Sequence, residues 1–217
     1  MKILYKLTSR SRPAKLLGVV KNIESLAKHE NYLIACTLDQ DDQTITDSVK
    51  KELMTHPKVK CFYGRSRSKI DAINRDMNKV GDWDILFNVS DDQLFLVEGF
   101  DKIVINKVQS VGGDCFLHYP DGNTKDRLAT MSIMDYKYYS RFHYIYHRSY
   151  ISLWCDNEAM EVAKRLGRYF YDPTAIFDHY HPAFGKAVRD EQYRKTESYY
   201  ARDKQTFEKR KKLGFPK

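Results

Sequence analysis

Apolar positions in the first ninety residues follow two spacings. Lys2 to Thr8, which alternates apolar and polar residues, and the runs Tyr32 to Leu38, Val59 to Tyr63 and Ile85 to Val89 read as strands, the last of them buried. Between them apolar residues recur at helical spacing, most clearly at Leu16, Leu17, Val20, Ile23, Leu26 and Ala27 behind Pro13, a residue suited to a first helical turn. Further helices are predicted over about residues 44–56 and 69–79. Strand, loop and helix therefore repeat three times before a fourth strand, the signature of a right-handed parallel sheet.

Beyond residue 92 the pattern changes. A helix is predicted from about Gly99 to Ser110, with Phe100, Ile103, Val104 and Val108 on one face. Asp114 to Tyr119 and Leu128 to Met134 read as strands around the turn Pro120-Asp121-Gly122-Asn123, which favours antiparallel pairing. The aromatic run from Tyr136 to Tyr144 either lines a substrate groove or packs in the core. Trp154-Cys155-Asp156-Asn157-Glu158 opens a helix, with Asp156 placed as its N-cap, and Gly167 closes it. Tyr169 to Tyr171 and Thr174 to Phe177 read as extended, and one long basic helix is predicted from Arg189 to about Leu213.

Composition adds a compartment and a charge asymmetry. With 217 residues, 42% hydrophobic and 13% aromatic, the chain can bury a large core as one domain and is not disordered. Cys36, Cys61, Cys115 and Cys155 stand far apart with no Cys-x-x-Cys pair, so reduced thiols are expected. No apolar run approaches the roughly 20 residues that span a bilayer, and Met1 to Tyr5 already reads as strand, so a cytoplasmic protein is expected. Residues 186–217 hold 11 Lys or Arg against 5 Asp or Glu, a net of +6 out of the chain's +8. Such a segment is either a solvated helix or a surface for nucleic acid, membrane or phosphorylated substrate.

The candidate chemistry lies where strands end. Ile85 to Val89 runs into Ser90-Asp91-Asp92, and Tyr32 to Leu38 into Asp39, placing carboxylates at the sheet edge where open α/β sheets bind ligands. Adjacent carboxylates repel, and a divalent cation offsets that cost; a solvated turn would use the same residue types. Thr8-Ser9-Arg10-Ser11-Arg12-Pro13 and Gly64-Arg65-Ser66-Arg67-Ser68-Lys69 combine hydroxyls, cations and helix starts, a setting for an anionic ligand or for ordinary capping. Asp156 is a carboxylate that can take a proton from a hydroxyl. His179 and His181, two apart in an extended segment, point the same way and cannot be separated as ligands by spacing.

Taken in order, these stretches resemble a family-2 glycosyltransferase of the GT-A fold, in the small form found in phage and bacteria. The resemblance rests on Thr8 to Pro13, Asp39, Lys69-Ile70-Asp71-Ala72-Ile73-Asn74-Arg75 before Trp83-Asp84-Ile85-Leu86, and Ser90-Asp91-Asp92 in place of an Asp-x-Asp motif. It continues through Cys155-Asp156-Asn157-Glu158, His179-Tyr180-His181-Pro182 and a tail with Asp203, Phe207, Arg210 and Gly214-Phe215. It implies a mostly parallel Rossmann-type sheet flanked by helices, with a small antiparallel portion and a C-terminal basic helix. Residues 1–92 would form a nucleotide-binding half, 93–185 an acceptor and catalytic half, and 186–217 the basic helix of one domain.

The implied activity is metal-dependent transfer of a sugar, with inversion, from a nucleoside diphosphate sugar, UDP-sugars first, to an acceptor hydroxyl. Thr8, Arg10 and Arg12 would border the nucleotide, and Asp39 would bind its base. Lys69 and Asn74 would lie near the diphosphate or ribose. Asp92 would hold Mn²⁺ or Mg²⁺ with Asp91 beside it and His181, or else His179, as a further ligand. Asp156 would be the general base, with Glu158 its rival. Ser90 departs from the Asp-x-Asp pattern. The acceptor is a glycan, a small molecule or modified DNA. The alternatives are a glycosyltransferase acting on hydroxymethylated bases of phage DNA and a catalytically silent nucleotide- or glycan-binding module.

Overall fold

The computed structural model describes residues 1–215, so the last two residues of the basic segment, 216–217, lie outside the described residues. Four strands come from the stretches expected to form them: β1 (Ile3–Thr8), β2 (Tyr32–Asp39), β3 (Val59–Gly64) and β4 (Ile85–Ser90). The helices between them are α1 (Pro13–Leu26), α2 (Asp47–Met54) and α3 (Lys69–Asn74). The second half adds β5 (Gln93–Phe95), α4 (Phe100–Ser110), β6 (Phe116–His118), β7 (Ile133–Asp135), α5 (Tyr136–Tyr139), α6 (Cys155–Arg165), β8 (Tyr169–Tyr171), β9 (Phe177–His179), α7 (Glu191–Glu197) and α8 (Tyr200–Lys212).

Seven strands form one sheet in the order β3-β2-β1-β4-β7-β6-β8, and β5 pairs with β9 in a separate antiparallel pair. β1, β2, β3 and β4 run parallel, while β7 is antiparallel to both β4 and β6. Strand order therefore reverses beside β1, where the connections to β2 and to β4 leave in opposite directions. Such a switch point opens a crevice outside the carboxyl ends of the strands, here at Thr8 and its register partner Ser90.

Alternation along the strands divides the core in two. Ile3, Tyr5 and Leu7 of β1 join Ile85, Phe87 and Val89 of β4 under α1 and α4, whereas Leu4 and Leu86 face Ile70, Ile73, Tyr138 and Phe207 on the other side. Both faces are covered, so even the polar side chains of the parallel strands, Lys6, Thr37 and Asn88, are buried. The aromatic run takes the core reading for Tyr138 and Tyr139, which are buried, while Tyr136 stays exposed.

Several boundaries differ from the sequence expectation. The helix expected from residue 44 starts at Asp47, because Thr44 is tied to Asp42 Oδ1 through both its amide and its hydroxyl and Thr46 caps the helix instead. The helix expected to reach residue 79 stops at Asn74; Arg75 is extended and Asp76 has φ of 69°, held by Arg75 and Lys79. β6 and β7 pair antiparallel as expected, but through a long loop gathered around buried Asp121, which accepts from the amides of Asn123 and Thr124 and the hydroxyl of Thr130. The single basic helix is two, α7 and α8. Asp156 is not an N-cap: Trp154 occupies that position and Asp156 lies in the first turn of α6.

Among the buried polar residues of the strands, Lys6 breaks the apolar pattern most sharply. Lys6 of β1 is fully buried, with Nζ donating to Thr37 Oγ1 and, at 3.3 Å, to the Ala72 carbonyl. Burial pulls its pKa down from 10.5 to about 7, against the attraction of Asp76. A folded-state pKa below the unfolded one means that the unfolded chain holds more protons between about pH 7 and 10.5. Lys6 therefore costs stability at and below neutral pH, and the cost fades toward pH 10.5. Lys6→Met is expected to raise stability by about 2 kcal/mol at pH 6, with the gain vanishing by alkaline pH in denaturant titrations. A destabilised variant at pH 6 would show that the Thr37 and Ala72 contacts outweigh the burial cost.

Candidate active site

The crevice at the ends of β1 and β4 is built by side chains from four segments. Asp91 is buried, its Oδ2 accepting from Ser9 Oγ at 2.7 Å and its Oδ1 from Arg12 Nη1 at 3.0 Å. Burial and the neighbouring Asp92 push the Asp91 carboxyl upward, with Arg12 and Ser9 opposing them. Asp92, also buried, accepts from Tyr193 Oη at 2.6 Å on Oδ2 and lies 3.3 Å from His179 Nε2 on Oδ1. Burial alone would raise it too, but His179, Lys69 and the Tyr193 hydroxyl outweigh that and hold Asp92 below the usual carboxylate range.

The two histidines separate in the folded chain. His179 sits between Asp92 and Asp121, whose Oδ2 is 3.8 Å from its Nδ1, and the two carboxylates overcome burial to lift it to about 9. The contacts are poorly aligned: Asp92 Oδ1 and His179 Nδ1 are buried atoms with no hydrogen-bond partner. His181 has its Nδ1 accepting from the Ala183 amide at 3.2 Å, which places any ring proton of the neutral form on Nε2. Burial and the charge of His179 lower its pKa, so it stays neutral. The rings are 5.3 Å apart at 70° to one another, so the two do not present equivalent nitrogens.

The remaining expected residues divide between those that face the crevice and those absorbed by structure. Asp156 is half-buried; burial raises its carboxyl, while its Oδ1 takes only the Asn157 amide, at 2.9 Å. Lys69, exposed at the start of α3, makes no hydrogen bond or ion pair among the described residues, yet its charge acts on Asp92, Asp156 and His181. Thr8 and Ser90 end their strands side by side, and the Ser90 amide donates to Gln93 Oε1 at 2.9 Å. Asp39 accepts from Arg10 Nη1 at 2.7 Å, Ser66 Oγ at 2.6 Å and Arg75 Nη1 at 3.3 Å, and Arg10 also pairs with Asp41. Arg12 is a structural fork: Nε and Nη2 hold Asp190 at 2.9 and 2.7 Å, and its guanidinium lies 4.0 Å from the Tyr193 ring.

Two expected site residues point elsewhere. Asn74 ties its side-chain amide to the 145–146 segment, donating to the Tyr146 carbonyl at 2.7 Å and accepting from the Ile145 amide at 2.7 Å. Glu158 is buried under α8, where its carboxylate takes Arg210 Nε at 2.8 Å, Arg210 Nη2 at 2.9 Å and the Tyr150 hydroxyl at 2.7 Å. Replacing one partner of a buried pair strands the other charge. Glu158→Gln is expected to cost about 3 kcal/mol, lowering Tm by roughly 6–12 °C, while the folded fraction turns over near the wild-type rate. Loss of turnover without loss of stability would return Glu158 to the chemistry.

Tyr193, Asp190, Asp121 and Ser9 were not legible as site residues. Tyr193 and Asp190 lie in and before α7, far along the chain from their partners Asp92 and Arg12, and nothing in a basic amphipathic stretch marks one tyrosine. Only the alternation of Asp190 and Tyr193 around a helix start, with Asp190 accepting from the Tyr193 amide at 3.0 Å, hinted at local order.

The donor set of this crevice fits a divalent cation shared with a substrate. Among the described residues no cluster of three or more His, Cys, Asp or Glu is arranged to hold a metal by itself. Yet Asp92 Oδ1 is orphaned, and its 3.3 Å separation from His179 Nε2 is close to the edge of about 3.0 Å between neighbouring ligands of an octahedral ion. Mg²⁺-type ions take one or two carboxylates and complete their shell with substrate phosphates and water.

No protein-family model matches the sequence, and the search of curated proteins found no match. Solved structures do match. A mannosyltransferase, PcManGT from Pyrobaculum calidifontis, in complex with GDP-Man and Mn²⁺, gives a TM-score of 0.70 at 10% identity over 88% of this chain and 58% of that one. TarS 1–349 from S. aureus, in complex with UDP-GlcNAc, gives 0.62 at 11% identity over 90% and 64%. Glucosyl-3-phosphoglycerate synthase from Mycobacterium tuberculosis, with Mn²⁺, UDP and glucosyl-3-phosphoglycerate, gives 0.59 at 12% identity over 85% and 75%. This chain spans about three-fifths of the first two. The mostly parallel seven-stranded sheet with its small antiparallel companion is the GT-A, Rossmann-like fold of these glycosyltransferases.

Proposed function

We propose that the protein is a metal-dependent glycosyltransferase of the family-2 type, moving a sugar from a nucleoside diphosphate sugar to an acceptor hydroxyl with inversion. The observation that carries this reading is the meeting of Asp92, with its orphaned Oδ1, the unpaired Lys69 and the raised carboxyl of Asp156 at the strand-order switch point. Each group then has one task. Asp92 and His179 hold Mn²⁺ or Mg²⁺; Asp121 stands 3.8 Å behind the outer ring nitrogen of His179, the side from which a carboxylate orients a ligating imidazole. When bound, the ion neutralises charge building on the departing diphosphate.

Lys69 adds a cation to the same oxygens, and the neutral His181 offers an Nε2–H donor to them. Asp156 takes the proton of the acceptor hydroxyl as it attacks the anomeric carbon, a role favoured by a pKa raised toward neutrality. Thr8 and the Asp39–Arg10 pair border the nucleotide, with UDP the first donor to try. Arg12 and Asp91 support the crevice from beneath.

The test is thermal stabilisation by nucleoside diphosphates and their sugars, each with and without Mn²⁺. Ligand at about 100 times its dissociation constant adds roughly 2.7 kcal/mol to the native state. Stabilisation by one nucleotide, dependent on the ion, is expected. Absence of any shift across the panel would remove the proposal.

A further inference from the structure

The turn that delivers Asp156 is held by a carboxylate from the far end of the chain. Asp203, in the first turn of α8, is fully buried, and its oxygens accept three consecutive backbone amides: Ile151 at 3.1 Å, Ser152 at 2.8 Å and Leu153 at 2.8 Å. The next residue, Trp154, has φ of 63° and ψ of −7°, a left-handed conformation that costs a bulky residue on the order of 1–2 kcal/mol. Its ring is packed by α8, 5.6 Å from Tyr200 and 5.2 Å from Phe207. Two residues later comes Asp156. On its other side the same turn accepts the Ile70 amide on the Ile151 carbonyl at 3.2 Å, which fixes the start of α3 beside Lys69.

The contacts are more than a loop needs to pack. A strained backbone persists only where its surroundings over-determine it, and here the surroundings are one helix. That helix is bolted to α6 through Arg210 and Glu158, and through Lys211 and Glu161 at 2.7 Å. The turn it grips leads directly into the base Asp156 and bonds the amide of Ile70, next to the cation Lys69. We infer that Asp203 is a positioning residue for sugar transfer: by binding the 151–153 amides it sets the left-handed turn that aims Asp156 at the acceptor hydroxyl and registers Lys69 against it. This rests on the glycosyltransferase reading of the site.

The test compares wild type with Asp203→Asn, whose side chain presents an N–H where an acceptor is required. Three readouts are taken: kcat and donor KM, amide exchange of residues 151–153 relative to β1 and β4, and the titration of the Asp156 carboxyl by NMR. The expected result is kcat lower by on the order of 100-fold with donor KM within about twofold, faster exchange confined to the turn, and a moved Asp156 titration. Should Asp203→Asn fail to fold, Trp154→Gly, which removes the aromatic clamp but accepts the left-handed backbone, is expected to show the same split. Loosened amides with unchanged kcat in either folded variant would overturn the inference. If wild type turns over no donor, the glycosyltransferase reading falls first. Exchange and titration then decide the clamp alone, and unchanged values in both variants would overturn it.

Discussion

Asp156→Asn is expected to slow sugar transfer by about 10²–10⁴-fold while the protein stays folded and still binds donor. The argument is one of roles. Trp154, not Asp156, caps α6, so the substitution removes no cap; Asn157 can still donate to the retained carbonyl oxygen; and a carboxyl that burial already disfavours is replaced by a neutral amide. Stability should hold or rise slightly. What is lost is the carboxylate that takes the acceptor's proton in the proposed reaction. In wild type the acid limb of the kcat/KM profile should fall above the ordinary carboxylate range, because burial raises Asp156, and that limb should disappear from the residual activity of the variant. A variant within tenfold of wild type would dismiss Asp156 as the base.

Asp92→Asn should be as severe for a different reason. Asn at this position keeps an acceptor for the Tyr193 hydroxyl and leaves His179 its second carboxylate, Asp121, so the fold has little reason to fail. The charge that would hold a divalent cation is gone. The ion-dependent part of nucleotide stabilisation, roughly 2.7 kcal/mol at about 100 times the dissociation constant, is expected to vanish, and turnover to drop by about 10³-fold or more. Nucleotide stabilisation that still responds to Mn²⁺ in this variant would place the ion elsewhere.

The fold was largely legible because parallel strands buried on both faces leave a dense apolar signal. β1, β2, β3 and β4 lie where the apolar blocks predict, within a residue or so at each end. β5 and β9, three residues each, were invisible: their pairing depends on Gln93 meeting His179 across the chain, and no period survives in three residues. The break between α7 and α8 was hidden for a related reason, since both halves are charged and helix-forming and neither Gly nor Pro separates them.

The site was legible as a set of residue types at strand ends and opaque as a set of roles. Asp156 and Glu158 stand two apart in one helical turn, and the sequence left them rivals; the interior assigns Glu158 to Arg210 and leaves Asp156 at the crevice. His179 and His181 were equivalent by alternation until folding set His179 between the carboxylates of Asp92 and Asp121 and gave the Nδ1 of His181 to the Ala183 amide. Asn74 and Arg12 looked available for a ligand, and local partners claimed both.

By itself, then, the sequence determined the parallel strands and the carboxylates delivered at their ends, because burial and strand termination are local properties of an apolar run. Tertiary structure alone decided the strand order, which carboxylate is taken by an arginine, which imidazole stands between two carboxylates and what holds the turn before Asp156. Those outcomes depend on desolvation and on partners such as Tyr193, Asp121 and Asp203, brought together across the chain only by folding.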